Sequence, residues 1–151
     1  MNPDYAERLN EIDWTKHQTA YGRADDVRDQ LLRLASTDQA VAMNVTHELW
    51  CGLCHQHAYI SDAALPALPY ILEVLDSAND ELTVEILDIL TGFAICSTLG
   101  PNRFSPNQWE QTLRSRLRDE LPRFIAFSNH ANEEIAGFAE RIVENLTQYV
   151  A

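Results

Sequence analysis

The stretch 65–95, LPALPYILEVLDSANDELTVEILDILTGFAI, constrains this chain more than any other. Its first part repeats apolar side chains at Leu65, Leu68, Ile71, Leu72 and Leu75; its second does so at Leu82, Ile86, Ile89, Leu90 and Phe93. Both sets follow helical spacing, and Glu81, Glu85 and Asp88 fall on another face of the second helix. The polar run 76–80 between them reads as a turn, which makes the two helices antiparallel. Neither can bury its stripe alone, so further helix pairs must stack against this one.

The flanking sequence supplies such pairs. Residues 3–12 predict a short amphipathic helix using Tyr5, Leu9 and Ile12, with Trp14 just beyond and Tyr21-Gly22 as a stop. Residues 24–35 predict the next, with Val27, Leu31, Leu32 and Leu34 toward the core. Asp25 and Asp26 are expected in its first turn, where carboxylates complement the helix dipole. Ser36-Thr37-Asp38-Gln39 reads as a capping box. The helix it opens runs to about Leu53, with Val41, Val45, Leu49 and Trp50 or Leu53 on one face.

A polar and aromatic loop occupies 54–61, after which Pro66 and Pro69 lie near the first turns of a helix; a first-turn proline is tolerated and Pro69 tightens or kinks it. Beyond a second loop, Ser105-Pro106-Asn107-Gln108 is a helix start that precedes Trp109, Leu113 and Leu117 at helical spacing. Pro122 breaks that helix and begins a short one with Phe124, Ile125 and Phe127. Asn132 then caps a last helix bearing Ile135, Phe138, Ala139, Ile142, Val143 and Leu146. No segment shows sustained period-two alternation, so the expected class is all-α, with residues 1–151 as one domain.

Three of these pairs share a pattern: an apolar helix end, a short Ser/Asp/Asn turn, then a new helix. The spacing from Ser36 to Ser77 falls within the roughly 40–47-residue period of HEAT-type repeats. The next spacing is longer because 98–116 is partly inserted. The expected architecture is a short right-handed α-solenoid of about three helical hairpins plus an N-terminal helix. First helices would lie outside, and second helices would line a shallow concave face.

Particular residues carry a family resemblance. Ile12-Asp13-Trp14, the run Ala20-Tyr21-Gly22-Arg23-Ala24-Asp25-Asp26-Val27, Leu31 and Leu34, His55-Gln56, Leu65-Pro66 and Pro69 together resemble small bacterial HEAT-repeat proteins. The resemblance covers about residues 12–95; the C-terminal third matches only as a generic repeat. The glycine that usually follows the His-Gln pair is His57 here. The resemblance implies a binding scaffold, and several families of this size are immunity proteins that neutralise a toxin from the same locus.

Net charge is −12, from 23 acidic and 11 basic residues. That field repels nucleic acid and anionic membranes and steers the chain toward cationic partners. No apolar run is long enough to span a membrane, and the first ten residues lack an apolar signal core, so the default compartment is the cytoplasm. On the concave side, Glu81, Glu85 and Asp88 would join Glu48, Glu133, Glu140 and Glu144 in an acidic groove suited to a basic protein. The plainer alternative is a solvated helix face. Arg103, Arg114, Arg116, Arg118 and Arg123 form an opposing cluster. With Glu110, Asp119 and Glu120 interleaved, it reads as a salt-bridged outer surface rather than a DNA contact.

Cys51-Gly52-Leu53-Cys54-His55 has the spacing of covalent haem attachment, but at a helix end in a chain without an export signal. His47, Cys51, Cys54 and His57 are the zinc candidates, and 47, 51 and 54 share a helical face. The favoured reading makes the cysteines packing residues, with His55 and Gln56 bracing the loop and no cofactor or metal. No phosphate loop, nucleophile elbow or H-E-x-x-H is present, so nothing reads as an enzyme.

The expected function is therefore a non-enzymatic HEAT-like module, with an immunity protein that occludes a cognate toxin first in line. A helical-repeat scaffold with another protein partner stands second, and a DNA-binding α-solenoid third. Contacts would come from the groove and from loops 54–61 and 98–105, with Trp50, Tyr59, Arg103 and Phe104 as candidate anchors, though Trp50 reads more readily as core.

Overall fold

The computed structural model describes residues 3–98 and 108–148. In chain order the elements are α1 (Tyr5–Asn10), a 3-10 turn (Trp14–Lys16), β1 (Gln18–Thr19), β2 (Gly22–Arg23), α2 (Val27–Leu34) and α3 (Gln39–Cys54). A second 3-10 turn (His55–His57) precedes α4 (Ala64–Leu75), α5 (Asp80–Cys96), α6 (Gln108–Asp119), α7 (Leu121–Ser128) and α8 (Glu133–Gln148). The chain is mostly helical, as its periodicity predicts. The exception is the antiparallel β1–β2 ladder, which pairs Gln18 with Arg23 and Thr19 with Gly22. Gly22, at φ +118°, lets the chain reverse around Ala20-Tyr21. The Ala20 amide then donates to the Gly52 carbonyl at 2.8 Å, pinning the hairpin across the end of α3.

Several helix ends differ from expectation. Helix α2 starts at Val27, so Asp29 rather than Asp25 or Asp26 occupies its first turn. The expected capping box is not made. Asp38 accepts from the Ala40 amide and Ser36 from the Asp38 amide, both at 3.0 Å. Gln39 reaches away instead, to Asn79 Oδ1 at 3.0 Å. A cap at Asp38 leaves the Gln39 side chain free to bridge to the next helix start. Asn132 caps α8 as expected, accepting from the Glu134 and Ile135 amides. Glu120 alone separates α6 from α7, because Pro122 lacks the amide that would continue α6.

Helices joined by short turns pack on each other, α2 on α3, α4 on α5 and α7 on α8. The second members also pack side by side, with α5 between α3 and α8. At one end Gln39 meets Asn79, and His130 lies 3.8 Å from Asp80. At the other, Cys54 Sγ approaches the Ile89 carbonyl at 3.8 Å, and Thr98 Oγ1 bonds Asn145 Oδ1 at 3.0 Å. The three second helices therefore run parallel. On the opposite side α4 lies between α2 and α6, and Arg123 of α7 ties back to the Leu72 carbonyl at 3.0 Å.

One apolar cluster runs from Tyr5 to Leu146, with Phe93 of α5 and Phe124 of α7 its largest fully buried side chains. Most predicted core positions are buried; Leu65, Leu72, Phe138 and Val143 pack at its edge, and Ile125 is 48% exposed. Arg114 departs most from expectation, since it is 2% exposed rather than on an outer surface. Its guanidinium donates to the Ala94 carbonyl at 2.9 Å, the Asn145 carbonyl at 2.7 Å and Asn145 Oδ1 at 2.8 Å. It thus collects the last carbonyls of α5 and α8, where helix dipoles favour a cation. Burial, and then the neighbouring Arg118, lower its pKa to about 10.

Candidate functional site

The parallel row of α3, α5 and α8 carries most of the sequence-predicted carboxylates. Helix α5 is buried on nearly every side, and Glu81, Glu85 and Asp88 mark the strip that is not. Glu81 is exposed, whereas Glu85 and Asp88 are half-buried. Burial, then the charges of Asp88 and Glu134, raise the Glu85 carboxyl above its ordinary pKa, against a smaller opposing effect of His47. Like charges from α5 and α8 therefore meet at Glu85. The α8 partner is Glu134, one residue from the expected Glu133. Glu133, Glu140 and Glu144 are exposed and lie round the helix from it. Arg141, two turns beyond Glu134, adds a cation to the Glu134 face.

The chain partly fills this face itself. His55, Gln56 and His57 all have positive φ, at 34°, 55° and 67°. Three consecutive left-handed residues without a glycine are costly, and a tertiary contact must hold them. His57 supplies it: its Nε2 lies 2.9 Å from both the carbonyl and the carboxylate Oδ1 of Asp88. Both partners are acceptors, so Nε2 carries the proton. Gly92 makes room, because a Cβ there would lie 2.5 Å from Cys54 Sγ and 2.7 Å from His57 Cδ2. Asp88 is thus engaged by the turn rather than open to solvent.

Aromatic groups surround the turn. Trp50 packs against His57 and His47, with ring centroids 5.9 and 5.8 Å apart, and Tyr59 stacks on His55 at 4.8 Å. Tyr59 is 47% exposed, whereas Trp50 is only partly buried. Among the described residues, Trp50 Nε1 and His55 Nδ1 are buried without a hydrogen-bond partner. Gln56 donates to Cys51 Sγ at 3.9 Å.

A cleft of about 380 Å³ opens between the hairpin, α2 and α3, lined by Thr19, Tyr21, Arg23, Gln30, His47 and Cys51 among others. Glu48 lines it too, held by Arg33 of α2 through bonds of 2.6 and 3.2 Å. The Arg33 hydrogen bond lowers the Glu48 carboxyl pKa, so this carboxylate belongs to the α2–α3 side rather than to the Glu85 cluster.

The zinc candidates do not converge. His47 Nε2 and Cys51 Sγ are 3.5 Å apart, but Cys54 turns toward α5 and His57 is taken by Asp88. Among the described residues, no group of three His, Cys, Asp or Glu side chains could hold a metal ion. Burial raises the Cys54 thiol pKa. Of the arginine cluster, Arg123 is bound to Asp76 and Glu120. Arg103 and Phe104, with the rest of the 98–105 loop beyond Thr98, lie outside the described residues. No described helix is long and apolar enough to cross a membrane.

Sequence reasoning missed Glu134 and Tyr21, and brought His47 and Cys51 to one helical face only as members of the zinc set. The i, i+4 spacing of His47 and Cys51 was a usable signal; nothing local marked Glu134. No protein-family model matches the chain, and no curated protein or solved structure shows significant similarity to it.

Proposed function

We propose that the chain is a HEAT-like binding module whose row of second helices receives a basic protein, and that it serves as an immunity protein occluding a cognate toxin. The observation that carries this reading is the Glu85 cluster. There burial and two like charges act on one carboxylate, and a cationic partner would relieve that repulsion as it docks. Parallel second helices joined through short hairpins support the solenoid half of the reading, since stacked repeats place equivalent helices side by side. Net charge of −12 supplies long-range attraction.

The arginines give no comparable support to a nucleic-acid role, because Arg114 and Arg123 are used inside the fold. The test is co-expression with the product of the gene immediately upstream. The expected result is rescue of growth and a stable complex. Growth arrest unrelieved by the chain, with no complex on size exclusion, refutes the immunity role.

A further inference from the structure

The cleft over α3 adjoins the proposed interface through His47, and its wall brings a thiol and an imidazole together. Residues 47 and 51 are one helical turn apart, which places His47 Nε2 3.5 Å from Cys51 Sγ. Gln56 donates to the same sulfur from the left-handed turn at 3.9 Å, and Tyr21 of the hairpin lines the same cleft. An imidazole that can take its proton and an amide donor thus meet at the sulfur. Cys51 is 8% exposed but lines the cleft, with the hairpin turn alongside it. Cys54 differs: it faces the Ile89 carbonyl and Gly92, and burial raises its thiol.

The cleft also says what kind of molecule fits. Its volume of about 380 Å³ suits a small solute. Arg23, which pairs with Asp25 at 2.8 Å, and Asp26 put charges of both signs on its wall, Glu48 is taken by Arg33, and Thr19 and Gln30 offer neutral hydrogen-bonding groups. Both signs of charge beside a thiol match a zwitterion rather than an apolar ligand.

We propose that Cys51 is a thiol-exchange site, with His47 as its base, for small zwitterionic disulfides of the amino-acid type. His47 Nε2 takes the thiol proton, and Sγ attacks one sulfur of the incoming disulfide. The S–S bond of that molecule breaks as the mixed disulfide to Cys51 forms. Its second sulfur leaves as a thiolate and takes the proton back from the His47 imidazolium. One disulfide and one thiol are consumed, and one mixed disulfide and one thiol are released.

The experiment incubates the reduced full-length chain with L-cystine or, separately, with neutral bis(2-hydroxyethyl) disulfide, and follows adducts by peptide mass mapping. The expected result is a dithiothreitol-reversible adduct on Cys51, forming faster with cystine than with the neutral reagent. His47→Gln, at an exposed position, should keep the helical circular dichroism spectrum and slow the adduct about tenfold or more. Cys51→Ser should abolish it. Adducts on Cys54 or Cys96 with Cys51 untouched would overturn the site. A His47→Gln chain reacting at the wild-type rate would overturn the base, and equal rates for the two reagents would overturn the zwitterion preference.

Discussion

A methyl group at position 92 has nowhere to go, since it would meet Cys54 Sγ and His57 Cδ2 well inside van der Waals contact. Gly92→Ala should lower stability by about 1–3 kcal/mol, as overpacked cores do, measured by urea denaturation. Glu85 makes the opposite case. Its raised pKa means the folded chain holds that proton more tightly than the unfolded chain does. Ionising Glu85 therefore costs stability as pH rises from its ordinary value of 4.5 through the raised one, and stability returns as pH falls. Glu85→Gln should raise stability at pH 7 by on the order of 0.5 kcal/mol and flatten the pH dependence in that window. At this scale the sequence was half legible. The register of Glu81, Glu85 and Asp88 followed from helical spacing, but which carboxylate of α8 would face them depended on how two helices slide past each other. Local pattern does not encode that, so Glu133 stood in for Glu134.

Among elements, the helices were legible because their apolar stripes repeat over three or four turns. The β1–β2 hairpin was not, because two residues per strand carry no alternation to read. Arg114 was hidden for a different reason. The run 114–118 looks like a solvated face, and only the meeting of the α5 and α8 C-terminal ends turns one of its arginines inward. Arg114→Met should destabilise the chain by about 3 kcal/mol, because the carbonyls it serves lose their donor in a buried site. Chemical denaturation measures this. A loss below about 0.5 kcal/mol, the scale of an exposed salt bridge, would mean that the guanidinium does not bridge the two helix ends.

For the whole molecule, three second helices run parallel and present a face on which carboxylates of α5 and α8 crowd together. The turn 55–57 covers one end of that face and is held by Asp88, so the open part lies toward Glu81, Glu85 and Glu134. On the proposed function, the net charge of −12 would attract a cationic partner from beyond contact distance, and salt should screen that attraction beyond a Debye length of about 10 Å at 0.1 M. The most direct measurement is stopped-flow association of the chain with the product of the upstream gene, at low and high salt. The account predicts an on-rate that falls with salt, and a triple variant Glu81→Gln, Glu85→Gln, Glu134→Gln that associates about tenfold more slowly with a flatter salt dependence. Equal on-rates for wild type and the triple variant at both salt concentrations would contradict it.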